Sequence, residues 1–512
     1  MSTQHVTLVP LRIVLAITII GAYALCGSSA RATGSQFPPI THGVAAGDVT
    51  TDSAVIWSRT NQEAVMHVMA RARGIVRGGG GPRHYATPVD AASDYTGKVF
   101  VEGLDPDTAY TYQVWFSGDL DVAPAASARR GSNGTGHFHT APSADDAQAV
   151  TLAWAGDIGG QNVCRDVQRG FPGFTALNAI DLDFFIGLGD LIYADGVCEE
   201  IGNYGNRQIP GGFGPSADIE TFWAHWKYNR EEPEYQKLLA NTPFYAIWDD
   251  HEVVNNFGPL HDTRDEEPYT PGEDLLPLGR RAFLDYNPVR EDNETPKRLY
   301  RTIRWGQHVE LFILDTRQYR DANREADDPE LRKSVLGRKQ LVWLKQRLAT
   351  SDATWKIIVS SIPMSIPTGD ATERDGWADF HSETGFEQEL VQILRYMKDH
   401  GIGNTVWITT DVHFAEVFVY TPFLDDPSFQ VHELITGPFN AGVFPNLDFD
   451  TTLNPQRLFF YPPPSSEPIS SYKEAVKIFN FGVIRVHQDG RLTAQVINAN
   501  GERLYEITLQ PK

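Results

Sequence analysis

The chain has 512 residues, with 44 Lys+Arg against 66 Asp+Glu and a formal net charge of −22. That balance excludes binding to nucleic acid or an anionic membrane by bulk attraction, which needs clustered Lys and Arg. A hydrophobic fraction of 41% and an aromatic fraction of 11% exclude a wholly disordered chain. Metal ions remain admissible, as does an anionic substrate if a local positive centre reverses the field.

Residues 1–12 carry Arg12 and no acid, Ile13 to Cys26 is mostly apolar, and Ala30-Arg31-Ala32 follows. A short basic start, an apolar middle and an Ala-x-Ala site predict a Sec-type signal peptide over 1–32, and so a secreted, periplasmic or cell-surface protein. The apolar run falls short of the roughly 20 residues that span a bilayer, so no stable membrane span is expected.

Residues 33–142 predict a small all-β sandwich. Ser53-Ala-Val-Ile-Trp-Ser58, Val65-Met-His-Val-Met69, Lys98-Val-Phe-Val-Glu102 and Tyr110-Thr-Tyr-Gln-Val-Trp-Phe116 are short runs rich in strand formers, separated by turn residues. Leu104-Asp-Pro-Asp-Thr-Ala-Tyr110 looks like a loop and Tyr of a fibronectin type III-like domain. A polar, Pro-containing linker is expected over 143–149.

The pattern changes over 150–512. Apolar runs at 150–156, 183–188, 244–248, 309–314, 355–360 and 405–410 alternate with helical stretches at 219–240, 338–349 and 385–399. Strands apolar on both faces with helices between them predict an α/β layered fold. The alternating 478–510 region adds further strands.

Five of these strands end in a carboxylate: Asp157, Asp190, Asp249-Asp250-His251-Glu252, Asp315, and Asp411-Val-His413. That edge of an open α/β sheet is where ligands bind. Clustered carboxylates cannot all stay ionised in water-poor surroundings unless cations neutralise them. With His251 and His413 the donors are mixed O and N, suited to di- or trivalent ions. Two such ions about 3.5–4 Å apart would hold a hydroxide that attacks phosphorus in line.

Asp157, Gly189-Asp190, Asp250-His251-Glu252 and Asp411-x-His413 resemble the calcineurin-like metallophosphoesterase pattern, with Gly159, Asp250 and Asp411 departing from it. The departures resemble a narrower family, the PhoD-like alkaline phosphatases. The residues that carry this are Thr41-His-Gly-Val-Ala-Ala-Gly-Asp48, Cys164-Arg-Asp-Val-Gln168, Gly189-Asp-Leu-Ile-Tyr193, Trp248-Asp-Asp-His-Glu252 with Asn255-Asn256, Leu314-Asp-Thr-Arg317 and Thr410-Asp-Val-His413. The resemblance implies a metallophosphoesterase domain behind the sandwich and a site holding one Fe3+ and one or two Ca2+. Its ligands would be Asp157, Cys164, Asp190, Tyr193, Asn255, Asp411 and His413. It further implies hydrolysis of small phosphate monoesters, with diesters as a second substrate class.

His251, Asp250 and Arg317 are the expected catalytic residues, with Arg317 as a planar clamp on a phosphate oxygen. Two alternatives stay open: a disulfide between Cys164 and Cys198, and a salt bridge of Arg317 to Asp315 or another acid. Arg281 and Tyr286 are further candidates for substrate contact. A phospholipase D-like diesterase is the competing enzyme reading, and a surface binding protein with a degenerate site is the non-enzymatic one.

Overall fold

Strands that are apolar on both faces must lie inside a layered structure, and three of them sit at the centre of one sheet. In the computed structural model, residues 37–73, 81–118, 133–258, 270–291, 295, 297–330, 332–380, 382–462 and 469–512 are described. The signal peptide expected over 1–32 lies outside them.

A nine-stranded sheet runs in the spatial order Arg503–Leu509, Leu492–Asn498, Asn480–Val486, Val150–Ala155, Phe184–Leu188, Phe244–Ile247, Val44–Gly47, Ser53–Arg59 and Thr96–Glu102. The three central strands from Val150, Phe184 and Phe244 are parallel. A seven-stranded sheet runs Arg301–Trp305, Val309–Ile313, Trp355–Val359, Thr405–Thr409, Val431–Ile435, Ala415–Tyr420 and Pro455–Tyr461. Its inner four strands are also parallel.

The two sheets share one core. Leu152, Trp154, Ile186 and Ile247 belong to the same buried cluster as Leu311, Ile357, Ile408 and Leu434. Their chain neighbours Phe312, Ile358 and Trp407 point the other way, onto Leu344 and Leu348 of helix Gly337–Thr350 and Leu390 and Leu394 of helix Glu387–Asp399. The two-residue side-chain period thus buries each strand twice, which is why the runs are apolar without interruption.

The helix expected over 219–240 forms as two, Ile219–Arg230 and Pro233–Asn241. Pro233 has no N–H to donate and is pre-set for a first helical turn, so it starts the second helix and ends the first.

The expected sandwich forms, but it is not a separate bead on a linker. Its second layer, Val44–Gly47, Ser53–Arg59 and Thr96–Glu102, is the edge of the nine-stranded sheet. The junction is a parallel pairing of Gly47 with Phe244, closed by Asp48 N–H donating to Phe244 O at 3.2 Å. A Cβ at Gly47 would stand 2.6 Å from the Phe244 carbonyl oxygen, so the backbones can meet only at glycine. The other layer is Arg83–Val89, Ala64–Ala72, Ala109–Ser117 and Gly134–His139, packed through Met66, Val68 and Val114 onto Ile56 and Val101. The loop before Tyr110 closes as Asp105 N–H donates to the Tyr110 hydroxyl at 2.9 Å. Among the described residues no helix is long and apolar enough to cross a membrane.

Candidate metal centre

The strands from Val150, Phe184 and Phe244 in one sheet and from Thr405 in the other end on the same side. Each chain then turns sharply inward. Asp157, Asp190, Asp411 and His413 take φ values of 59°, 50°, 79° and 61°, in the left-handed region that residues with a Cβ rarely enter. Such conformations persist only where the surroundings over-determine them. Here Ile158 N–H donates to Asp190 O at 2.7 Å, and Asn440 N–H to Asp157 O at 3.0 Å. The buried Glu252 carboxylate accepts the backbone N–H groups of Asp190 at 3.1 Å, Leu191 at 2.7 Å and Asp249 at 2.8 Å. One side chain therefore holds two strand ends in register.

The inward turns bring the donors into three overlapping sets: Asp157, Asp190 and His413; Asp190, Asp250 and His251; and Asp249, Asp250 and Asp411. Within each set the ligand atoms lie within 4.8 Å of one another. Asp190 and Asp250 each belong to two of the sets, so they would hold the sets together. The Tyr193 hydroxyl lies 3.0 Å from His413 Nε2, adding a fourth donor to the first set.

The donor set fits cations. Asp157 Oδ1, Asp190 Oδ2, Asp249 Oδ2 and Asp411 Oδ2 are buried and have no hydrogen-bond partner. Burial pushes Asp157 up to about 7. Burial, then Asp250 and Asp249, raise Asp190 well above the carboxylate range, and burial, then Asp249 and Asp375, do the same to Asp411. Burial and then Asp190 push the Tyr193 phenol well above its usual range. A bound metal ion reverses the sign of all these effects. Asp250 differs: although burial alone would raise it, Arg317 and His251 hold it below the carboxylate range.

The two histidines are oriented from behind. His413 Nδ1 lies 2.6 Å from the Gly442 carbonyl, which can only accept, so the free lone pair is on Nε2. Burial holds this imidazole down at about 4, in the neutral form that is able to ligate a metal. His251 Nδ1 pairs with Asp195 Oδ1 at 2.8 Å, and its ring packs 4.2 Å from that of Tyr193. Burial lowers the His251 imidazole, but Asp195 and Asp250 outweigh it and bring it up to about 9. A cleft of about 280 Å³ opens over this face, with His251, His413, Asp411, Asn255 and Phe444 in its wall.

Two glycines leave room for ligands. A Cβ at Gly160 would sit 2.3 Å from Tyr193 Cζ, and one at Gly437, where φ is +136°, would sit 2.1 Å from Asp157 Oδ2. Thr410 Oγ1 donates to that same Asp157 oxygen at 2.9 Å.

Several sequence expectations need correction. Cys164 is not a ligand: it forms a disulfide with Cys198, with the Cα atoms 5.8 Å apart, so it has no thiolate to offer a metal. The bond ties the loop after Asp157 to the segment after Tyr193 and Asp195. Arg317 is not a phosphate clamp. It is fully buried, with Nε 2.5 Å from Asp249 Oδ1 and Nη1 3.0 Å from Asp375 Oδ2, while Nη2 lies 3.7 Å from Asp250 and 4.0 Å from Asp411. Asp315 does not join the cluster; it accepts from Trp248 Nε1 at 2.9 Å and from the Arg317 backbone N–H at 3.2 Å, capping its own turn. Asp250, expected among the catalytic residues, belongs to two of the candidate donor sets. Asn255 is exposed at the cleft, and its backbone N–H donates to Asp195 Oδ2 at 2.8 Å. Tyr286 is buried against Asp94 and Arg281 pairs with Asp285 at 3.5 Å, both away from the cleft.

Sequence reasoning missed Asp195 and Asp375. Asp195 lies in the same loop as Asp190 and Tyr193, and an acid at that short spacing was the available signal. Asp375 gave none, because it meets Arg317 only through the fold.

Comparison with known proteins bears on the family and the fold. The chain matches the family model described as PhoD-like phosphatase over residues 152–480 and that of the PhoD-like phosphatase N-terminal domain over 26–142. It is 26% identical over 418 residues to alkaline phosphatase D of Bacillus subtilis (strain 168), covering 73% of this chain. The match spans 64% of that relative's length, less than two thirds. In fold the chain is similar to the solved structure of PhoD, with a TM-score of 0.68 at 20% identity over 94% of both chains. It is also similar to purple acid phosphatase PPD1 from yellow lupin (Lupinus luteus) seeds, with a TM-score of 0.59 at 12% identity over 92% of this chain and 74% of that one.

Three outcomes follow from the corrected assignments. Arg317→Met strands Asp249 and Asp375 as buried unpaired charges, a loss of about 3–5 kcal/mol that a lowered denaturation midpoint will register; a clamp residue would instead change KM and leave stability intact. Thiol titration of the unfolded, unreduced chain will find neither Cys164 nor Cys198 reactive. The Cys164→Ser/Cys198→Ser double variant will lose about 2–4 kcal/mol of stability yet keep its metal content by elemental analysis.

Proposed function

The chain belongs to the PhoD-like phosphatase family, and from that premise we propose that it is a metal-dependent phosphoesterase. It hydrolyses small phosphate monoesters, accepts diesters at the same site and releases inorganic phosphate. The observation that carries this reading is the set of four orphaned carboxylate oxygens converging from four strand ends, with Asp190 and Asp250 shared between ligand sets.

Asp157, Asp190, Tyr193 and His413 would hold a ferric ion, since three anionic oxygens neutralise a trivalent charge better than imidazoles do. Asp249, Asp250 and Asp411, with Asn255 at the rim, offer the all-oxygen donors that suit calcium. When bound, such ions supply Lewis acidity, activating water and offsetting charge on the phosphoryl oxygens. The protein's own contribution is positional. Arg317 partly neutralises Asp249 and Asp250 from behind, which keeps the ligands together without competing for substrate. Asp195 anchors His251 at Nδ1, so that its Nε2–H is free to protonate the leaving oxygen. The complete donor set, apart from Cys164, speaks against a degenerate binding domain. The Sec-type leader over 1–32 supports an exported enzyme, secreted, periplasmic or at the cell surface.

The mature chain is expected to hydrolyse p-nitrophenyl phosphate faster than bis-p-nitrophenyl phosphate and to lose both activities on EDTA treatment. Diester preference would shift the substrate class while keeping the centre; inactivity on both after adding iron and calcium would overturn the reading. Purified protein should absorb visible light through the tyrosinate–iron contact, and Tyr193→Phe should bleach it. A colourless, iron-free and active protein would remove iron from the assignment.

A further inference from the structure

Phe444 is a large apolar side chain left 55% exposed in the wall of the metal cleft. Its segment is nevertheless tightly held. Gly442 N–H donates to Gln161 Oε1 at 3.0 Å, the Gly442 carbonyl accepts from His413 Nδ1 at 2.6 Å, and Val443 N–H donates to the Tyr204 hydroxyl at 3.0 Å. Gly442 also makes room for the ring, since a Cβ there would lie 2.5 Å from Phe444 Cζ. The ring centroid sits 5.2 Å from that of His413, with the planes inclined by 39°.

A phenyl ring with a fixed backbone, tilted beside a candidate ligand histidine and largely exposed in the wall of the cleft, does little for the core. It is placed to meet what enters beside the metal ligands. We infer that Phe444 is a specificity determinant that packs against an aromatic leaving group while the phosphoryl end lies over Asp411 and His413. This rests on the phosphoesterase reading and adds a substrate class to it, aryl phosphate esters. Ring–ring contact is directional, so a flat aromatic group gains where a small alkyl group does not.

The test is binding, read by calorimetry on the metal-loaded protein with inorganic phosphate, methylphosphonate and phenylphosphonate. The wild-type chain is expected to bind phenylphosphonate about three- to tenfold tighter than methylphosphonate, the size of one aromatic pair. That ratio should fall to about one in Phe444→Ala and in Phe444→Leu, which keeps apolar bulk without the ring, and should survive in Phe444→Tyr. Elemental analysis of each variant reports whether it keeps its centre. Equal affinities in the wild type, or a preference that persists in both Phe444→Ala and Phe444→Leu, would overturn the inference while phosphate still binds. Failure of phosphate itself to bind the wild type would overturn the phosphoesterase reading and this one with it.

Discussion

Everything at the centre follows from the crowding of five carboxylates, those of Asp157, Asp190, Asp249, Asp250 and Asp411, into one water-poor volume. Two unit charges about 4 Å apart interact by about 4 kcal/mol at an effective dielectric constant near 20. Several such repulsions act together here, because the ligand atoms of each set lie within 4.8 Å of one another. Arg317 relieves part of this, touching Asp249 and Asp375 directly and standing 3.7 Å from Asp250. One guanidinium cannot balance five acids. The remaining charge fits the centre to take up cations, and under the proposed reading such cations would make it locally positive within an acidic protein.

Holding like charges together requires a frame stiffer than their repulsion. Left-handed turns at Asp157, Asp190 and Asp411 aim the ligands inward. Glu252 ties the second and third strand ends through three backbone N–H groups. The disulfide between Cys164 and Cys198 closes the loops behind Tyr193 covalently. The sulfur that a ligand role would have placed on a metal ion serves instead to fix the loop that carries the tyrosine and Asp195. The N-terminal strands contribute to the same stiffness, because Val44–Gly47 adds directly to the strand that ends in Asp249. Its partner Phe244 lies at the start of that strand, so the sandwich braces the sheet from the end opposite the ligands.

The sequence by itself determined the strands, their ends and most of the candidate donors. An apolar run buried on both faces has few possible locations, and a carboxylate just past such a run must lie at the sheet's ligand-binding edge. Asp157, Asp190, Asp250, Asp411, His251 and His413 were legible for that reason, and Tyr193 only through the family resemblance. Only the tertiary structure decided the partners. Arg317 finds Asp249 and Asp375 at separations of 68 and 58 residues, and Cys164 finds Cys198 at 34. Asp315 follows the same strand-end pattern as the others yet turns to Trp248. A strand's periodicity says where a side chain emerges, whereas what it meets there depends on elements brought together by the fold, and only those contacts separate a ligand from a cap, a clamp from a counter-ion and a thiolate from a disulfide.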